Sequence, residues 1–328
     1  MRHVLLALLT GVSLAASVPV AIGQSSLSSL PTPPFALPPE SVTVTATKPS
    51  PETIQSYVNT RAQPTYILGR MARWTKGVCP VTVGLGDKYA KYISQRIKDV
   101  AAAVGAPVNA DPACRPNIQV MFTLNPQILM NNVRKDQPLL LGYHHSEPEA
   151  DKMAQVTHPI QAWYSTISQD IHGNSYVDDG SCTSGGITVN TGSSSASEGN
   201  VSSSMVLPCA VKLQETGSRA VDGLDSGFFD VVIVADPSKL SDCEIGTLGD
   251  YIAMMALSQP ASLDSCQDLP SISNLLAKGC TSIPSWITDG DLAFLKGLYR
   301  TPRGYSMSAQ RNEMQYQMKK TLVTDKGG

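Results

Sequence analysis

The sequence predicts an α+β domain built around a mixed β-sheet. A strand at 81–85, a helix at 87–104 and a second strand at 117–123 follow one another, which is the order of a parallel crossover unit. The run Phe228–Val234 is the most apolar strand in the chain, so we expect it to lie centrally in the sheet. Helical spacing of apolar residues returns at 247–258 and again at 289–299, which supplies helices to cover the sheet.

The remaining elements are predicted from capping and alternation. Ser50-Pro51-Glu52 has the pattern of a serine cap followed by proline in the first turn, so a helix is expected from about residue 52 to 59. The other expected elements are a helix at 126–134, a loop through His144 and His145, a strand at 160–167, a Ser- and Gly-rich surface loop at 180–204, a short helix at 272–277 and a Met-rich helix carrying Met307, Met314 and Met318.

The first residues predict a cleavable signal peptide. A basic start precedes an almost wholly apolar run, Val4–Ile22, and small residues lie where signal peptidase requires them. Cleavage is expected after Gly23, with Ser17 as the second choice. The alternative is a retained membrane anchor, since the run is roughly long enough to span a bilayer. With cleavage, the mature protein is expected in the periplasm or outside the cell, with no membrane span.

The mature chain is expected to hold one globular domain with a tail at each end. Residues 24–50 are rich in Ser, Pro and Thr and predict a disordered linker. Residues 51–305 are long enough for a single well-filled core, and 306–328 predict a helical or frayed tail. The formal net charge of −2 and the lack of a basic stripe argue against nucleic acid and anionic lipid as partners.

Seven cysteines in an exported chain indicate disulfides, because the compartment is oxidising. The pairs expected from their positions are Cys79 with Cys114, Cys182 with Cys209, and Cys266 with Cys280. This leaves Cys243 over, as an unpaired structural thiol or, less simply, a nucleophile. A cysteine-based metal site is disfavoured because no C-x-x-C pair is present.

Two helical segments suggest a family. Residues 286–299 read W-I-T-D-G-D-L-A-F-L-K-G-L-Y and look like the C-terminal helix of the matrixins, and 249–259 follow the apolar strand where the active-site helix of those enzymes lies. The order of elements resembles that of the metzincin zinc peptidases. The chain also resembles a family of uncharacterised exported bacterial proteins, through Arg73-Trp74, Gln161-Ala162-Trp163-Tyr164 and Leu248–Met254. The resemblance covers about 52–305 and implies a twisted mixed sheet, a long helix after the first strand, a degenerate active-site helix and a C-terminal helix.

The resemblance also implies that the catalytic site is lost. Matrixins hold zinc with H-E-x-x-H-x-x-G-x-x-H, in which three histidines bind the metal and the glutamate activates a water molecule. In this chain the three ligand positions are Gly249, Ala253 and Gln259, and the glutamate position is Asp250. Glycine and alanine have no side chain that can bind a metal. Asp250 is interpreted as a carboxylate hydrogen-bonded near the start of its helix rather than a general base.

One histidine cluster remains as an alternative metal site. His144, His145 and His158 lie near acidic residues, but the region predicts a solvated polar loop, and adjacent histidines point in different directions. The sequence therefore predicts an exported domain without enzymatic activity or cofactor, which binds an extended peptide or an envelope protein by strand addition. Trp163 and Tyr164 are candidates for that surface or for the core. The alternative is a secreted hydrolase, metal-dependent through the histidine loop or acting through Asp250.

Overall fold

The computed structural model describes residues 48–180, 187–190, 204–208, 213, 215 and 221–324. Its helices are α1 (Pro51–Arg61), α2 (Asp87–Val104), α3 (Pro126–Asp136), α4 (Glu147–Met153), α5 (Ile245–Leu257), α6 (Asp289–Arg300) and α7 (Met307–Lys319). Its strands are β1 (Pro80–Val83), β2 (Ile118–Phe122), β3 (Ile160–Gln169), β4 (Ser175–Val177), β5 (Ile187–Asn190), β6 (Ser204–Leu207) and β7 (Asp225–Ala235).

The main sheet is mixed, with the strand order β1-β2-β7-β3-β4. The strands β1, β2 and β7 are parallel, while β3 is antiparallel to both β7 and β4. The predicted crossover of β1, α2 and β2 is therefore confirmed, and so is the central position of β7. The mixed α+β class is also confirmed. The strands β5 and β6 form a separate antiparallel ribbon.

The long helix α2 has the bounds that its sequence predicts. Its apolar residues recur at helical spacing, and Ile93, Ile97 and Val100 are buried against the sheet. The helix ends at Gly105, which adopts a left-handed conformation with φ of 83° and donates its N–H to the last carbonyls. The helix α1, which precedes the crossover unit, is capped as predicted, because the Ser50 hydroxyl accepts a hydrogen bond from Thr53 N.

The central strand β7 is buried on both faces. Val231 and Ile233 point into the larger apolar cluster, which contains residues of α1, α2, α5, α6 and α7. Val232 and Val234 point into a smaller cluster formed with α3 and α4. Burial on both sides explains why this strand is a nearly continuous apolar run in the sequence.

The C-terminal helices α6 and α7 pack closely together. Gly297 lies at the contact, where a Cβ atom would come within 2.4 Å of the Met314 Cα atom. Met314 and Met318 are fully buried in the larger cluster. Glycine at 297 is therefore required by the distance between the two helices, and α7 is part of the packed structure.

Three sequence predictions about local structure are wrong. The surface loop expected at 180–204 contains the strand β5, which pairs with β6. The helix expected at 272–277 is only a 3₁₀ turn, Ile272–Asn274. The chain is held in an irregular course there because the Asn274 side-chain amide bonds to main-chain atoms of Gln267 and Ser282. The predicted loop after His145 contains α4, a helix of seven residues that begins with Glu147-Pro148.

Two of the predicted disulfides are present. Cys79 is bonded to Cys114 and Cys266 to Cys280, which is consistent with an oxidising compartment. The predicted pair of Cys182 and Cys209 lies outside the described residues. Cys243 forms no disulfide within the described part of the chain, and partial burial, aided by the charge of Asp242, raises the pKa of its thiol.

Candidate binding cleft

One edge of the main sheet is open along β3. The strand β4 covers only Ile167–Gln169, and no other described strand pairs with the outer side of β3. The Pro159 carbonyl accepts a hydrogen bond from Asp236 N on the β7 side, at 2.9 Å. The Thr166 carbonyl instead accepts one from Asp178 N on the outer side, at 3.0 Å. These two bonds fix which backbone groups of β3 face inward and which face outward.

The outward groups follow from the alternation of a strand. In an antiparallel pair, the N–H and C=O of one residue point to the same side, and the next residue points to the other. The register shift between Ser165 and Thr166 inserts its extra residue, Phe229, in β7 rather than in β3, so the alternation along β3 is unbroken. Ala162 and Tyr164 therefore turn their N–H and C=O groups away from β7, toward the open edge.

A cleft of about 640 Å³ lies against this edge. It is lined by Gln161–Tyr164 of β3, by the chain that leaves α1 at Gln63–Tyr66, by one side of α4 and by Gln259 after α5. Most of its polar groups are neutral amides and hydroxyls. Such groups can both donate and accept hydrogen bonds, as the amide groups of a peptide backbone require.

A glycine limits the open edge at one end. Gly142 has a φ of 93°, and a Cβ atom on it would come within 2.5 Å of the Tyr164 carbonyl oxygen. The backbone of the 141–143 segment thus touches the outward carbonyl of Tyr164, and only glycine permits this approach. The free part of the edge runs from Ile160 to the Tyr164 N–H, which at about 3.3 Å per residue suits four or five residues of an added strand.

Aromatic side chains form the rim of the cleft near Gly142, and we call this group the aromatic rim. Tyr66 stacks on Tyr143 with ring centroids 4.3 Å apart and planes 13° from parallel. His145 lies edge-on to both rings, with centroids 4.6 Å from Tyr66 and 4.9 Å from Tyr143. The Glu149 carboxylate accepts a hydrogen bond from His145 N at 2.8 Å, which fixes the segment that carries the histidine.

The surroundings of the aromatic rim are negative. Partial burial is the main cause that raises the pKa of the Tyr143 phenol, and nearby groups add to the rise. The acidic groups among them are Asp178, Glu149 and Asp179. Asp178 is itself buried, which raises its pKa against the lowering effect of hydrogen bonds from Thr166 and Ser168. Carboxyl groups thus lie close enough to the aromatic rim to act on the Tyr143 phenol, while Lys152 brings a positive charge to the same cleft.

The helix α5 directs into the protein most of the positions that the matrixin resemblance assigns to zinc ligands. Gly249 lies against α2, where an added Cβ atom would be 3.3 Å from the ring of Tyr92. Ala253 is fully buried in the larger apolar cluster. Of the positions that the matrixin pattern assigns to ligands, only Gln259 lines the cleft. Its side-chain oxygen is buried and has no hydrogen-bond partner within the described residues.

Asp250 does not reach the cleft. One of its carboxylate oxygens forms an ion pair with Arg96 of α2, and the other accepts a hydrogen bond from Ile287 N at 2.8 Å. The Asp250 carboxylate is thus buried and joins α5 to α2 and to the segment before α6. Asp250 is hydrogen-bonded, but it lies in the middle of α5 rather than near the helix start that the sequence predicts, and its partners lie far from it in the chain.

The candidate histidines have separate roles. His144 is buried, and its Nδ1 lies 2.8 Å from the Gly142 carbonyl oxygen. His145 belongs to the aromatic rim. His158 bonds to Thr157 through Nδ1 at 2.8 Å and to Asp264 through Nε2 at 3.0 Å. Over the described ranges, no group of three or more His, Cys, Asp or Glu residues is arranged to hold a metal ion.

Trp163 and Tyr164 serve both the core and the cleft. The Trp163 indole is buried in the smaller cluster and donates a hydrogen bond to the Met153 carbonyl at 2.7 Å. The Tyr164 hydroxyl donates to the Met255 carbonyl at 3.0 Å, and burial raises the pKa of this phenol well above its usual range. Both side chains are fixed by packing, so the part of β3 that remains open to a ligand is mainly its backbone.

Sequence reasoning missed several residues of the cleft. Tyr66 and Tyr143 were not among the candidates, although Tyr143 precedes the two histidines that were. Gln63 was missed as well. For Tyr66 and Tyr143, the only sequence signal is an aromatic residue at a turn-like position, and that feature is common in loops.

Comparison with known proteins adds no family to this description. No protein-family model matches the sequence, and neither a curated protein nor a solved structure matches it. Within the described part of the chain, none of the helices has the length and apolar character needed to cross a bilayer. The function must therefore be argued from the cleft itself.

Proposed function

We propose that this chain is a periplasmic or secreted binding domain that holds an extended peptide segment, such as part of an envelope protein, by adding it as a strand to β3. The single observation that carries the proposal is the open edge of β3 within the cleft. An unpaired edge presents a row of N–H and C=O groups that match an incoming strand, and strand addition is a recurring mode of peptide recognition.

The scaffold is proposed to be that of a metzincin-like peptidase that has lost its catalytic site. A zinc ion does not fit the residues at the expected positions, because Gly249 and Ala253 offer no ligand atom and are packed against neighbouring residues. Asp250 is engaged by Arg96 and is not directed at the cleft. The arrangement therefore supports binding without hydrolysis, and no cofactor is required.

The lining of the cleft also suits a peptide backbone. Gln63 and Gln259 each place an amide group there, and the side-chain oxygen of Gln259 lacks a donor within the described residues, whereas the Gln161 amide is already bonded to Gln155 and Thr157. A buried acceptor without a partner costs free energy that a ligand N–H can recover. A peptide lying between β3 and these amides could be bonded on both of its edges.

Substitution at the outward N–H of Ala162 tests the proposal. Proline at 162 removes this donor but leaves the ladder with β7 intact, because the ladder does not use the Ala162 N–H. The matched control is Ala162→Ser, which keeps the N–H. Ligands would come from a random ten-residue phage library selected on the wild-type protein, and their affinities would be measured by fluorescence polarisation with synthetic peptides.

We expect Ala162→Pro to weaken the selected peptides about tenfold or more, since a lost hydrogen bond and the bulk of the ring together cost about 1.4 kcal/mol or more. The serine control should stay within about twofold of wild type. Both variants must unfold in urea near the wild-type midpoint. Equal affinities for the two variants, or a library from which no peptide is enriched, would contradict the proposal.

A further inference from the structure

The aromatic rim offers a fixed and accessible ring surface. Tyr66 is 65% exposed although it is stacked on Tyr143. The stack is held in place from both sides, since Thr65 N donates to the Arg70 carbonyl at 2.7 Å and His145 packs edge-on against both rings. A ligand that stacks on Tyr66 therefore meets a ring that has already lost most of its freedom of motion.

The charges around this ring surface are complementary to a cation. The carboxyl groups of Asp178, Glu149 and Asp179 each raise the pKa of Tyr143, as negative charges do. Glu149 is only partly buried and so can face a ligand. Lys152, one turn along α4 from Glu149, brings a positive charge to the same cleft.

We propose that the aromatic rim binds a basic side chain, arginine or lysine, of the peptide that is added to β3; this inference rests on the proposed function. A cation lies favourably over the face of a tyrosine ring, and a guanidinium group can also stack on it. The Glu149 carboxylate supplies the opposite charge beside the rings. Arginine is expected to bind better than lysine, because its planar group both stacks and donates to a carboxylate.

The position of the rim also fixes where the basic residue falls in the peptide. Gly142 touches the Tyr164 carbonyl, and Tyr143 follows directly in the chain. The aromatic rim thus lies at the Tyr164 end of the free edge. The basic residue is therefore at or next to one end of the four- or five-residue segment that pairs with β3, and the preference should appear at one position only.

A positional peptide library tests this inference. Each position of an immobilised ten-residue peptide is fixed in turn as Arg, Lys, Gln, Glu, Trp or Pro, with the other positions randomised. Wild type is compared with Tyr66→Leu, Glu149→Gln and the edge variant Ala162→Pro. Tyr66→Phe is the matched control, because it keeps the ring, and Glu149→Gln keeps an acceptor for His145 N. Soluble peptidoglycan and chitin oligosaccharides form a separate arm.

We expect one position at which Arg exceeds Gln by roughly 3- to 30-fold, the range that corresponds to a cation over an aromatic ring. Tyr66→Leu should reduce this ratio to within about twofold, Tyr66→Phe should keep it, and Glu149→Gln should lower it most at low salt. Binding that Ala162→Pro abolishes, but without a preference for Arg or Lys, overturns this inference and leaves strand addition standing.

Three other results have equally definite meanings. A preference for Arg that Tyr66→Leu removes, but that Ala162→Pro leaves unchanged, supports the basic site and overturns strand addition. A preference for Trp, Pro or Glu at the rim position overturns the basic site. Binding of the oligosaccharides with no binding of peptides overturns both proposals, because the stacked tyrosines would then serve a sugar ring.

Discussion

Replacing Asp291 with alanine should cost this protein a large part of its stability. Asp291 is fully buried at the start of α6. Its carboxylate accepts five hydrogen bonds, from the Tyr57 hydroxyl, the Ser271 hydroxyl at 2.6 Å, Ile272 N at 2.9 Å, Thr288 N at 3.0 Å and the Thr288 hydroxyl at 2.9 Å. This one side chain therefore joins α1, the 3₁₀ turn and the cap of α6.

The magnitude follows from the donors that alanine would leave without a partner. The hydroxyl groups can rotate toward other acceptors, but the N–H groups of Ile272 and Thr288 cannot. A buried donor without a partner costs about 1–3 kcal/mol, and the half-buried Thr288 N–H costs less, so Asp291→Ala should lower the free energy of unfolding by about 3 kcal/mol. This is a substantial share of the roughly 5–15 kcal/mol that a domain typically has.

Urea unfolding followed by tryptophan fluorescence measures the effect. The matched control is Asp289→Ala in the first turn of the same helix. Asp289 is exposed, so its removal should cost at most about 1 kcal/mol through the helix dipole. If the two alanine variants differed from wild type by similar amounts, the hydrogen-bond network of Asp291 would not carry the stability argued for it.

Two further predictions concern pH and a disulfide. Burial raises the pKa of Asp230 from 3.8 to about 7 against the hydrogen bonds from Gln119, so this carboxyl contributes stability at low pH that is lost as the pH rises toward 7. Asp230→Asn should gain about 3 kcal/mol relative to wild type between pH 5 and pH 8 in urea unfolding, and a constant difference would refute this. Removing the Cys266–Cys280 bond, which closes a loop with a separation of 14 residues, should cost about 3 kcal/mol, whereas Cys243→Ala should cost about 1 kcal/mol or less. Equal thermal unfolding midpoints for the variant without the Cys266–Cys280 bond and for Cys243→Ala would contradict this prediction.

The parts of the fold that the sequence predicts well are those specified locally. The helix α2 has its predicted bounds because apolar residues recur at helical spacing and Gly105 ends the helix. The strand β7 is central because burial on both faces requires a nearly continuous apolar run. The helix α4 was missed because its seven residues, E-P-E-A-D-K-M, are mostly polar and too few to show a helical period.

The cleft could not be predicted because its parts meet only through the tertiary structure. Tyr66 and Tyr143 lie in different loops, and nothing in either segment specifies that the two rings stack. The openness of β3 is likewise a property of the sheet, since it depends on where β4 stops pairing. The sequence did predict that Ala162 and its neighbours form a strand, but whether a strand lies at an edge is decided by its partners.

The burial of α5 bears on the proposed absence of a zinc site. All described residues from Thr247 to Leu257 are buried, so this helix is an element of the core. In a matrixin, the helix that carries the zinc ligands must present them to a cleft. Here Gly249 is packed against Tyr92, and Asp250 is paired with Arg96. Introducing histidines at 249 and 253 would therefore place imidazole rings against α2 and in the core, where they would destabilise the fold. The open strand edge lies on another element, β3, and its availability to a peptide does not depend on α5 having any chemistry.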